Sequence, residues 1–178
     1  TLAQLLPKLC AIEGIQWVRL HYLYPDEITD ELIDVIAREP KIVKYLDIPI
    51  QHISDRVLRA MHRRGTGQEI RTLFRKLRER IPGLVLRTSL IAGFPGETEE
   101  EFEASYAFVD RVDFYETHIF KYSKREGTKA AVMDGQIDEK IKGERSARMI
   151  ALGERKKKAY EDSFIGKEVE VLFEERAQ

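Results

Sequence analysis

The chain has 178 residues, with 30 basic and 31 acidic side chains and a formal net charge of −1. Overall charge therefore points to no polyanionic partner, and any such partner must be read from local clusters. Cys10 is the single cysteine, which excludes an internal disulfide framework and a cysteine-ligated cluster and suits a reducing cytosol. No run of about 18 apolar residues and no signal-peptide pattern is present, so the sequence offers no membrane span.

Leu2, Leu5, Leu6 and Leu9 predict a helix over 2–12 that Gly14 ends. A strand follows over 15–20, with His21-Tyr22-Leu23-Tyr24-Pro25 at its C-terminal end. Thr29 can cap a helix to Arg38 that buries Leu32, Ile33 and Ile36, and Pro40 stops it. The next strand covers 43–48 and runs into Pro49-Ile50-Gln51-His52; Ser54 can cap a helix holding Val57, Leu58 and Met61. After a linker over 63–67, Ile70, Leu73, Phe74 and Leu77 have the i, i+3, i+4, i+7 spacing of one buried helical face, closed by Pro82-Gly83.

Residues 84–92 are β-branched and apolar and predict a buried strand. Gly93-Phe94-Pro95-Gly96-Glu97-Thr98 follows as a turn with two glycines, and Thr98 can cap a helix whose Glu99, Glu100 and Glu101 suit the positive end of its dipole. Phe102, Tyr106 and Val109 mark that helix's buried face, and 114–122 reads as a further strand. A polar loop over 123–136, a long charged helix over 137–162 and an alternating strand over 167–173 complete the chain.

The order β-α-β-α-α-β-α-β-α implies a parallel α/β sheet with right-handed crossovers. Four such strands with exposed edges look like the C-terminal half of a partial (β/α) barrel. The expected organisation is barrel over 1–163 and the first strand of a small β-domain over 164–178. A start inside a helix and a stop after a strand suit a piece of a longer protein.

Four stretches resemble the radical S-adenosylmethionine methylthiotransferases: Arg19 to Pro25; Tyr45-Leu46-Asp47-Ile48-Pro49-Ile50-Gln51-His52 with Ser54-Asp55; Leu86 to Ile91 with Gly93 to Thr98; and Tyr122-Ser123 with Glu126-Gly127-Thr128. The resemblance implies an enzyme whose central barrel carries a 4Fe-4S cluster and reductively cleaves S-adenosylmethionine. A radical then abstracts hydrogen from an unactivated carbon, which receives a methylthio group. It also implies an N-terminal domain with an auxiliary cluster and a C-terminal TRAM domain that holds the substrate. Neither cysteine set of the clusters is present, and Cys10 matches no position in them, so this chain alone is expected to be inactive. The stretches at Arg19 to Pro25 and Leu46 to His52 resemble the branch that modifies an aspartate of a small-subunit ribosomal protein. The tail from His118 to Phe173 is closer to the branch acting on a tRNA adenosine beside the anticodon. The barrel motifs are the longer match and favour the ribosomal protein.

Gln51 stands past a strand end, where barrel ligands sit, and can both donate and accept, as a ribose hydroxyl or methionine carboxylate requires. His52 reads as a supporting or solvent-facing residue. Arg87 and Ser89 share one face of their strand and Thr88 takes the other; a strand arginine needs a carboxylate, either the cofactor's or Asp47. Gly93 to Gly96 would shape the pocket wall by backbone, with Glu97 as a turn residue. Phe120, on the last barrel strand, would pack on the adenine. His21, His52, His62 and His118 are too scattered for a metal site. Along 142–158 seven basic residues face two acidic ones in sequence, and Lys156, Lys157 and Lys158 are candidates for contact with ribosomal or transfer RNA. Two other classes stay open: a non-catalytic RNA-binding module, and a non-redox barrel enzyme with Lys44 or Lys121 as base.

Overall fold

The computed structural model describes residues 1–171. Its elements are α1 (Leu2–Cys10), β1 (Val18–Leu20), α2 (Asp30–Arg38), β2 (Ile42–Asp47), α3 (Asp55–Ala60), α4 (Gly67–Arg80), β3 (Val85–Ala92), α5 (Glu99–Val112), β4 (Glu116–Lys121) and α6 (Glu139–Asp162), with short 3₁₀ turns at Pro25–Glu27 and Lys129–Val132. The strands form one parallel sheet in the order β1-β2-β3-β4.

Local signals set the helix starts. The side chains of Thr29, Ser54 and Thr98 each accept the amide three residues on, at Leu32, Val57 and Glu101, satisfying a donor that the first turn leaves bare. Thr66 does the same for α4 and forms a reciprocal capping box with Glu69. Strand β1 is shorter than expected: pairing begins at Val18, whose amide reaches the Lys41 carbonyl, and Ile15 to Trp17 stay outside the ladder.

Period-2 alternation splits the sheet into two faces. Leu46, Leu86 and Leu90 point into the helix-covered core with Ile33, Ile36, Leu77 and Val109. Phe74, Phe108 and Phe114 close it in edge-to-face contacts with centroids 5.3–6.2 Å apart. Gly153 lets α6 lie directly on β4, since a Cβ there would meet Thr117 Oγ1 at 2.1 Å. The opposite face carries Asp47, Arg87 and Glu116 in register, then Ser89 with His118, then Ile91 with Phe120.

The strand expected over 167–173 does not form in 167–171, which are exposed and without regular structure. A strand needs a ladder partner, and none stands beside these residues among those described; Leu172 and Phe173 lie outside the described residues. No described helix is long and apolar enough to cross a membrane.

Candidate functional site

The uncovered face of the sheet is built in layers. At its base Arg87 donates to Asp47 and lies 3.3 Å from Glu116 Oε2. Of the two carboxylates that Arg87 could meet, the protein's own Asp47 is the one in contact. Asp47 is fully buried, and its Oδ1 has no hydrogen-bond partner among the described residues. His21 Nδ1 stands 4.0 Å from the other carboxylate oxygen. Arg19 stacks over Tyr45 on the same face, 4.0 Å from the ring centroid. Ser89 and His118 form the middle layer.

Gln51, Ile91 and Phe120 form the top layer. Gln51 has φ +67°, a left-handed conformation that costs a non-glycine residue about 1–2 kcal/mol. Two backbone bonds hold it there: its amide donates to Ser89 O and its carbonyl accepts from Ile91 N, both at 2.9 Å. Phe120 is 55% exposed, an aromatic ring with one side uncovered. Beside this layer, a cavity of about 680 Å³ is lined by Gln51, Met61, Arg63, Ile91, Phe94 and Lys129.

A buried polar network fastens the loops around that layer. The carboxylate of Glu97 accepts from Gly93 N at 2.8 Å, Arg145 Nη1 at 2.7 Å and His52 Nε2 at 3.0 Å. His52 Nδ1 accepts the Ser54 amide at 3.0 Å, so the hydrogen sits on Nε2 and points at Glu97. The side chains of His52 and Glu97 are each 1% exposed and that of Arg145 is 8%. The network joins the segment after β2, the turn after β3 and α6. Gly93, at φ +76°, gives room to another chain segment: a Cβ there would meet Lys142 Cγ at 2.2 Å. Its missing side chain therefore faces α6.

Residues 2–109 match the profile of the radical SAM superfamily. The chain belongs to that superfamily. Two relatives carry the name ribosomal protein uS12 methylthiotransferase RimO. The one from Anaeromyxobacter sp. (strain Fw109-5) is 48% identical over 177 residues, 99% of this chain and 38% of that protein. The one from Pelobacter propionicus (strain DSM 2379 / NBRC 103807 / OttBd1) is 50% identical over 174 residues, 98% of this chain and 39% of that protein. The chain thus spans about two fifths of the length of the curated relatives it matches. Among solved structures, the radical SAM methyltransferase TsrM from Kitasatospora setae, with cobalamin and a [4Fe-4S] cluster bound, aligns at TM-score 0.54 and 22% identity, over 67% of this chain and 24% of that one. Elp3 from Methanocaldococcus infernus aligns at TM-score 0.55 and 16% identity, over 77% of this chain and 32% of that one. These two likenesses concern the fold: the half-barrel α/β architecture expected from the strand order is that of radical SAM proteins.

A radical SAM protein needs a place for a sulfonium nucleoside and for an iron–sulfur cluster. The half-uncovered Phe120 ring suits the first, offering a platform for a flat base; the bare Asp47 Oδ1 is enclosed, out of a ligand's reach. For the second, the described residues contain no group of three His, Cys, Asp or Glu placed to hold a metal, and Cys10 is buried in the α1 core.

The basic stretch of α6, with the candidate RNA contacts Lys156, Lys157 and Lys158, is mostly ion-paired within the fold. Counted along the sequence it reads as a positive face, but carboxylates from other elements meet most of it. Arg145 pairs with Glu97 and Glu99, Arg148 with Glu99 and Glu103, and Lys156 with Asp110 and Asp113. Lys157 lies 4.0 Å from Glu116, and Lys158, 76% exposed, pairs with Asp162. Arg145 and Glu97, the hub of the buried network, were not legible as partners 48 residues apart. The one local sign was a glutamate following a glycine turn and preceding the Thr98 cap.

Proposed function

We propose that this chain supplies the cofactor-facing strands of a cytosolic methylthiotransferase that adds a methylthio group to an aspartate of a ribosomal protein, using S-adenosylmethionine and a 4Fe-4S cluster. The observation that carries this reading is the identity of about half, over nearly the whole chain, to proteins named uS12 methylthiotransferases. The layered face supports it, because it gathers at the strand ends the residue types that such a cofactor needs.

When bound, the cofactor supplies the one-electron chemistry that activates an otherwise inert carbon. This chain's residues hold and orient it. Phe120 offers an uncovered ring to the adenine. Gln51 and Ser89 offer a carboxamide and a hydroxyl to the ribose. Asp47, fully buried beneath this face, holds Arg87 in place. The Gly93 to Gly96 turn, pinned by Glu97, forms the wall. Ile91 and Phe94 keep water from the reacting centre. The cluster finds no ligand set among the described residues.

Equilibrium dialysis of the chain with labelled S-adenosylmethionine tests this reading. Phe120→Ala should weaken binding by roughly 5–150-fold, the span of a lost base–aromatic stack, and Gln51→Ala by roughly 2–10-fold, that of a lost neutral hydrogen bond. Unchanged affinity in both variants would overturn the site.

A further inference from the structure

A second concentration of charge lies away from the barrel mouth, on the outer helices. Arg71, Arg75 and Arg78 stand at i, i+4 and i+7 on α4 and form one stripe of its surface. With Arg111 of α5 they line a groove of about 340 Å³ floored by Phe74 and Phe108. Arg78 is committed to the fold, donating to the carbonyls of Leu84, Val112 and Asp113. Arg71 lies over the Phe108 ring at 5.3 Å. Among the described residues, no carboxylate pairs with Arg71, Arg75 or Arg111. Nearby acids are engaged elsewhere: Glu69 with Thr66, Glu103 with Arg148, and Asp110 with Lys156. Glu79, also on α4, makes no ion pair with the arginines. Like charges at this spacing oppose helix formation, and beyond the Arg71–Phe108 contact no partner among the described residues offsets the three guanidiniums that line the groove.

We propose that the groove between α4 and α5 binds the phosphodiester backbone of RNA without regard to base sequence. Guanidinium forks match phosphate oxygens bidentately. The rise of about 6 Å from Arg71 to Arg75 lets neighbouring forks take separate phosphates. Phe74 and Phe108 are 1% and 2% exposed, so neither ring is free for a base to stack on. The guanidiniums stand in a row along an apolar floor, and a polyanion with evenly repeated charges can meet each fork in turn. The inference is independent of the cofactor site, because none of its residues lies on the uncovered face of the sheet.

The test is fluorescence anisotropy of the chain with a labelled single-stranded RNA of about 16 nucleotides, the upper end of single-strand site sizes. The triple variant Arg71→Gln/Arg75→Gln/Arg111→Gln should bind at least roughly 10-fold more weakly near 50 mM salt and lower the slope of log K against log salt by about 2, since each phosphate contact contributes about 0.7. The variant Lys157→Gln/Lys158→Gln should change affinity by less than about 2-fold, the size of a screened surface charge. Circular dichroism checks the fold; should the triple variant not fold, Arg75→Gln and Arg111→Gln singly should each lower the slope by about 0.7. Three results overturn the assignment. The first is no RNA binding by the parent chain. The second is a loss carried by the lysine variant and not by the arginine variants. The third is displacement of RNA by poly-glutamate at equal charge concentration, which would make the groove a reader of acidic protein.

Discussion

Replacing Arg145 by methionine removes one partner of the buried ion pair and keeps the length of the side chain. Glu97 then retains the Gly93 amide and His52 Nε2 as donors but loses the guanidinium paired with it, in a site where its side chain is 1% exposed. Breaking a buried pair by removing one partner costs about 3–5 kcal/mol, mainly because the other charge is left uncompensated. For a chain of this size each kcal/mol corresponds to about 2–4 °C, so the melting temperature should fall by about 6–20 °C. Glu97→Gln should also destabilise, since Arg145 loses one of its two carboxylates and keeps Glu99. The double variant is the decisive comparison, because no charge is left facing an empty partner. Its loss should be smaller than the sum of the single losses by at least about 1 kcal/mol. Urea unfolding followed by circular dichroism gives all three values. Additive losses, or an Arg145→Met cost below about 1 kcal/mol, would refute the reading of this network as a coupled buried unit.

Glu101 gives a pH signature. Burial pushes its carboxyl up, but bonds from Arg56, the Thr98 amide and Ser54 outweigh this and bring it from 4.5 to about 2. The folded value lies below the unfolded one, so the stabilisation is complete above about 4.5 and is lost as the pH falls towards 2; melting curves of Glu101→Gln should be flatter than the parent's across that window. Gly93→Ala should cost about 2–4 kcal/mol by adding left-handed strain to a clash with Lys142, and Lys142→Ala in the same chain should restore part of it; an unchanged midpoint in urea would contradict the packing. Gln51→Gly should leave stability unchanged or raise it by up to about 1 kcal/mol, through relief of the φ +67° conformation, while weakening S-adenosylmethionine in dialysis. A large loss of stability would mean that the Gln51 side chain holds the loop.

The parts of the fold that could be read from the sequence rest on short-range chemistry. Thr29, Ser54 and Thr98 announce their helices because a cap is a contact three residues long, and the parallel sheet follows from the alternation of elements. That alternation also places Asp47 and Arg87 within reach of each other, since both fall on strands that the order makes neighbours. The reading fails where the partner is remote. The charge of the last helix looks free only when acids within that helix are counted; Glu99, Glu103, Asp110 and Asp113 arrive from elements folded against it. His52, read as a supporting or solvent-facing residue, takes the supporting role: it is buried, and Glu97 and the Ser54 amide satisfy both ring nitrogens. The arginine stripe on α4 is visible as spacing, but its lack of carboxylates is a property of the assembled surface.

Each strand pairs with its neighbour in sequence, so the sheet can grow one crossover at a time as the chain leaves the ribosome, with short loop closures at every step. Arg145 reaches Glu97 only after β4 and the first two turns of α6 exist. A contact made that late is absent from an early-forming transition state, and weakening it should leave the folding rate nearly unchanged while speeding unfolding. The guanidinium of the final helix would then set how long the loops around Gln51 persist once made, as a clasp acts on a lifetime rather than on an assembly rate.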